Sequence, residues 1–79
     1  MDRKTVLADY IKSEIMRNPN AELDENEDLV GTGILDSLRI LQLVAHIEKT
    51  LGIEVPDEDV VYDNFNSLKA LVDYLQQYP

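Results

Sequence analysis

Apolar residues recur at three- and four-residue spacing in three separate stretches of this chain, a period that calls for helices and not for strands. Val6, Leu7, Tyr10, Ile11 and Ile15 form the first series, interleaved with Lys4, Asp9, Lys12 and Glu14, and predict a helix over residues 5–16. Asn18-Pro19-Asn20 stops it, because the residue before a proline avoids helical dihedrals and asparagine favours turns. In the second series Ile40, Val44, Ile47 and Leu51 make one stripe, flanked by Leu41 and Leu43, and predict a helix over residues 37–51. Asp36 stands at its N-cap position and Gly52 at a natural C-terminal cap. Leu68, Leu71, Val72, Leu75 and Tyr78 mark a last helix, capped by Asn66 or Ser67.

The intervening segments carry weaker signals. Residues 23–35 are acidic at first and glycine-bearing later, so a long loop is expected there, pinned to the core by its apolar residues. Ile53-Glu54-Val55-Pro56 alternates like a strand but is too short for one, and Pro56 followed by Asp57-Glu58-Asp59 suits a helix start. A short third helix over residues 57–62 follows, with Asn64-Phe65-Asn66 read as loop. The expectation is one all-α domain over residues 1–79, a four-helix bundle with a long loop between helices one and two. With no cysteine to form a staple, side-chain packing must supply its stability, and with only five aromatic residues the core must be aliphatic.

Sixteen acidic against seven basic residues give a net charge of −9, which repels phosphate backbones and anionic membranes. Nucleic acid and membrane are therefore not expected partners. The first residues lack the apolar run of a signal peptide and no segment reaches membrane-spanning length, so a monomer in the cytoplasm is the expectation.

Ordinary catalysis finds little support. The single histidine, His46, lies nine residues from Ser37 on the same predicted helix. That is about 13 Å along the axis and about half a turn around it, so His46 cannot serve as its base and is expected as a solvated surface residue. Asp24, Asn26 and Asp28 open like a calcium loop, but Leu29 and Leu35 occupy the positions that need glycine and glutamate, so no metal site is expected. Gly31 and Gly33 follow no strand and have no nearby lysine, against a nucleotide loop. What remains is Asp36-Ser37-Leu38, with Ser37 in the first turn of helix two, where free amides and the positive end of the dipole favour a phosphate. Alone the tripeptide is also what an ordinary helix cap looks like. On a helical wheel Arg39, Gln42, His46 and Lys49 oppose the apolar stripe, with Leu38 beside them, either a docking contact or an isolated exposed leucine.

Gly33-Ile34-Leu35-Asp36-Ser37-Leu38, the apolar helix, Leu51-Gly52-Ile53-Glu54-Val55-Pro56-Asp57-Glu58 and Phe65-Asn66-Ser67-Leu68 together resemble the acyl carrier protein family over nearly the whole chain. The resemblance implies a right-handed four-helix bundle in which Ser37, flanked by Asp36 and Leu38, receives 4′-phosphopantetheine from coenzyme A and carries cargo as a thioester without itself catalysing anything. It implies as partners a phosphopantetheinyl transferase, an adenylating acyl or aminoacyl ligase and downstream synthase, oxidase or transferase enzymes. Fatty-acid carriers of this family show an acidic face on helix two, whereas here it reads Arg39, Gln42, His46 and Lys49, expected with Leu38 to form the docking surface. That departure, with Asn64-Phe65-Asn66-Ser67 and the Gly33-Ile34-Leu35-Asp36-Ser37-Leu38 motif, is more similar to stand-alone carriers of specialised, natural-product metabolism, including aminoacyl and peptidyl carriers. A fatty-acid-type carrier, able to shelter a chain between Leu41, Val44, Val60 and Leu68 if those helices part, is the alternative, and an adaptor without a prosthetic group a more distant one.

Overall fold

The three longer α-helices each begin where a short side chain can accept from an otherwise orphaned backbone amide. In the computed structural model, which describes residues 2–78, the Asp2 carboxylate accepts from the Thr5 amide at 2.7 Å and starts α1 (Arg3–Tyr10). Residues 1 and 79, the ends of the domain expected from the sequence, lie outside the described residues. The helix thus begins two residues before the predicted start at 5, since Asp2 and not a later residue provides the cap. It then widens into one π-helical segment, Ile11–Ile15, whose end is closed by the Met16 amide on the Ile11 carbonyl at 2.7 Å. Leu7, Ile11 and Ile15 keep one buried line through this change of period. Arg17 then takes the left-handed conformation, at φ 56°, and ends the helix just before the predicted Asn18-Pro19-Asn20 stop.

The second helix, α2 (Ser37–Leu51), has the predicted bounds. The Asp36 carboxylate accepts from the Arg39 amide at 2.8 Å, and Gly52 closes the far end at φ 69° with its amide on the Glu48 carbonyl. Its inward line is shifted from the one the sequence suggests. Leu43 and Ile47 are fully buried, Ile40, Val44 and Leu51 only half-buried, and Leu41 is 61% exposed. Burying Leu43 and Ile47 contributes about 1.5–3 kcal/mol each, so these two anchor the helix.

The long loop between these helices is pinned as expected, by Leu29 and Leu35, both buried. Backbone bonds complete the attachment: the Leu29 amide donates to the Asn66 carbonyl at 2.7 Å, and the Lys69 amide donates to the Glu25 carbonyl at 2.9 Å.

The third helix departs from the sequence reading. Asp57–Asp59 forms only a single 3₁₀ turn, and the helix proper, α3 (Tyr62–Phe65), lies later than the predicted 57–62. Two side chains hold Asp59 in place: Asn64 Nδ2 donates to its carbonyl at 2.9 Å, and the Tyr74 hydroxyl donates to its carboxylate at 2.6 Å. The chain turns out at Val60, and Phe65, read as loop, instead enters the core at the end of α3. Ser67 is the cap of α4 (Leu68–Leu75), accepting from the Ala70 amide at 3.1 Å. Tyr78 lies beyond the helix end, its hydroxyl paired with that of Tyr74. Helix α1 packs on both α2 and α4, and Arg3 Nη1 donates to the Leu75 carbonyl at 2.6 Å, closing the end of α4. The result is an all-α four-helix fold with no strand among the described residues.

Candidate functional site

Ser37 is the first residue of α2 and is exposed. Two features of the local chain leave it available. The first intrahelical bond runs from the Ile40 amide to the Asp36 carbonyl at 2.8 Å, and the Arg39 amide is used by the Asp36 cap. The Ser37 and Leu38 amides therefore have no acceptor among the described residues, and they point from the positive end of the helix. No side chain among the described residues bonds the Ser37 hydroxyl. Such a hydroxyl has no resident base and is suited to being modified by another protein.

The nearest charges are balanced. Arg39 Nη1 lies 3.4 Å from the Asp36 carboxylate, an exposed pair that offsets the one negative group beside Ser37. A phosphate esterified at Ser37 would thus meet two free amides and an arginine, and the residues present fit a phosphopantetheine group. Leu38 is 66% exposed, and with Leu41 it lays an apolar strip along α2 beside Ser37. Arg39, Gln42 and Lys49 are exposed, as expected of a polar face.

His46 corrects the expectation of a solvated histidine. Its ring stacks on Tyr10 of α1, centroids 3.9 Å apart and planes within 17°, and its nitrogens lie 3.4 and 3.5 Å from the Thr50 hydroxyl. Desolvation, then the Lys49 charge, lower its pKa from 6.5, with Glu14 opposing. The fold therefore favours the neutral ring. Stability from this site is complete above the ordinary histidine value and declines as pH falls below it, where the unfolded chain takes up a proton first. The melting-temperature difference between wild type and His46→Gln should shrink from about pH 7.5 to about pH 5.5, above the carboxylate range. A constant difference across that interval would remove this role.

Asp28, considered above as a calcium ligand, ties the loop to α3. Its carboxylate accepts from the Gly31 amide at 2.9 Å and the Tyr62 hydroxyl at 3.0 Å. The Gly31 amide first, and the Tyr62 hydroxyl after it, hold the Asp28 carboxyl below the usual carboxylate range. A Cβ at Gly31 would meet that carboxylate and oblige it to shift.

What helix one adds to this face carries no signal in the amino-acid pattern. A groove of about 490 Å³ between α1 and α2 brings Tyr10, Glu14 and Arg17 to Gln42, His46 and Lys49. A smaller one of about 210 Å³ continues from Arg17 to Leu38, Arg39 and Asp36, next to Ser37.

A four-helix fold that presents at a helix N-terminus a serine with no partner and no base among the described residues fits the class of prosthetic-group carriers. The family model described as phosphopantetheine attachment site matches residues 5–75, and the chain belongs to that family of acyl carrier proteins. It therefore carries a phosphopantetheine attachment site. The chain is 33% identical over 52 residues to the D-alanyl carrier protein of Streptococcus pyogenes serotype M5 (strain Manfredo), covering 66% of each chain, and equally to those of serotypes M49 (strain NZ131) and M1. It thus spans just under two thirds of the length of the curated relatives it matches. Among solved structures, a chain described as "Crystal structure of FAD-dependent dehydrogenase" superposes with a TM-score of 0.78 at 29% identity, over 86% of this chain and 96% of that one. Among the described residues no helix is long and apolar enough to cross a membrane.

Proposed function

We propose that Ser37 is the attachment residue and that the protein presents small acyl or aminoacyl groups, held as thioesters, to successive enzymes of a specialised biosynthetic route in the cytoplasm. The observation that carries this reading is the exposed Ser37 hydroxyl at a capped helix start with two unused amides. In loading, a bond forms from Ser37 Oγ to the phosphorus of coenzyme A nearest the pantetheine as the pyrophosphate bond breaks. Adenosine 3′,5′-bisphosphate leaves with the electron pair. A base on the transferase takes the serine proton, since this chain offers none. When bound, the group supplies a thiol on a flexible arm, and the tether keeps cargo at high effective concentration.

Two observations favour a small cargo such as an amino acid. Of the residues named for sheltering a long chain, Leu41 faces solvent while Leu68 is buried, so the helices would have to part to admit one. The relatives named above are D-alanyl carriers. An adenylating ligase would then choose the cargo. The likeness to a chain of a structure described as an FAD-dependent dehydrogenase supports a dehydrogenase among the downstream partners.

Incubation with coenzyme A and a broad-specificity phosphopantetheinyl transferase tests the reading. The intact protein should gain the mass of one phosphopantetheine, read by mass spectrometry. An unchanged mass under conditions that load a control carrier would overturn it.

A further inference from the structure

Seven basic residues stand in a chain of net charge −9, and most are already engaged. Lys4 pairs with Glu25 at 2.7 Å, Arg39 with Asp36 at 3.4 Å and Lys69 with Asp73 at 2.8 Å, while Arg3 donates to the Leu75 carbonyl. Among the described residues, Lys12, Arg17 and Lys49 have no carboxylate within ion-pair reach. Two of these three, Arg17 and Lys49, line the same groove between α1 and α2. Arg17 also lines the smaller groove that ends beside Ser37, where Arg39 joins it.

Two unneutralised cations meeting in one groove of an acidic chain are unnecessary for solubility, which the net charge already provides. Glu14 shares the groove yet pairs with neither. The stacked Tyr10 and His46 rings and Ala45 line the same groove. The left-handed backbone at Arg17 fixes where that side chain leaves the helix end. The whole runs along α2 toward Leu38 and Ser37.

We infer that this two-helix groove is the partner-docking surface, and that Arg17 and Lys49 in it receive an acidic, surface-exposed helical segment of a partner enzyme. The inference rests on the carrier reading above and deepens it, since the docking surface then includes helix one and not α2 alone. Complementary charge of this kind chiefly steers encounter and fixes register, with the apolar strip at Leu38 and Leu41 completing the contact.

The test is an NMR titration of the isotopically labelled protein, before and after loading with phosphopantetheine, with an amphipathic helical peptide bearing glutamates on one face. Shifts should concentrate on Tyr10, Arg17, Ala45 and Lys49. Arg17→Glu should weaken binding about three- to fivefold, with the loss diminishing at high salt, while Lys69→Glu, on α4, should leave it unchanged. Equal weakening by Lys69→Glu, or shifts confined to α2, would overturn the inference, as would an equal response to a glutamine-substituted peptide. Saturation of the same residues by inorganic phosphate alone would mark a small-anion site and overturn it too. Failure of loading would instead strike the carrier reading, because the titration of the unloaded chain stands by itself.

Discussion

Ser37→Ala should gain no mass with coenzyme A and transferase, yet melt within about 2 °C of the wild type. Both halves follow from the same geometry. The Ser37 hydroxyl is exposed and bonded to no side chain among the described residues, so its removal leaves no buried polar group unsatisfied. The cap remains, because the Asp36 carboxylate still accepts from the Arg39 amide, and alanine is a strong helix former in the first turn. The other serines offer no substitute. Ser67 is buried and its hydroxyl accepts from the Ala70 amide, and Ser13 lies within the π-helical segment without a helix start. Mass spectrometry with a parallel thermal melt checks the prediction. A loaded Ser37→Ala protein would move the attachment site elsewhere, and an unfolded one would show that the serine has a structural role.

What was legible in the sequence follows the range of the interactions. Both ends of α2 could be read because their caps are local: Asp36 reaches an amide three residues on, and Gly52 needs only its own left-handed backbone. The same locality made Ser37 visible as a candidate. The third helix was misplaced because long-range partners decide it. Tyr74, fifteen residues on, holds the Asp59 carboxylate, and the core takes Phe65 in from what looked like loop. His46 looked solvated on the wheel because its stacking partner, Tyr10, comes from another helix. Arg17 carried no signal at all, since its role depends on how α1 packs on α2. The Leu43 and Leu41 positions differ in kind. The buried pair Leu43 and Ile47 has the i, i+4 spacing of one face, so the wheel could have been centred there, had the half-buried Ile40, Val44 and Leu51 not drawn it aside.

Phe65→Ala should lower the melting temperature by about 15 °C or more and leave much of the protein unfolded at modest denaturant. Phe65 is the only phenylalanine and is 1% exposed, the largest side chain wholly within the core. Truncating a buried phenylalanine costs about 3–5 kcal/mol through lost transfer energy and the cavity left behind. A chain of this length has about 4–12 kcal/mol in all, so one substitution removes a large share. Relaxation offers little relief. The Phe65 ring sits 6.4 Å from that of Tyr74, whose hydroxyl is committed to Asp59 and Tyr78, so Tyr74 cannot swing into the space without breaking those bonds. The same removal at Leu41, 61% exposed, should change stability by less than about 0.5 kcal/mol, which makes Leu41→Ala the control for a general effect of losing apolar surface. Equal thermal shifts in the two variants, or a Phe65→Ala protein as stable as the wild type, would show that the core is not centred where α3 meets α4. If the cost falls as expected, loading of the surviving folded fraction at Ser37 should remain intact, because the exposed start of α2 is held by its own cap and not by Phe65.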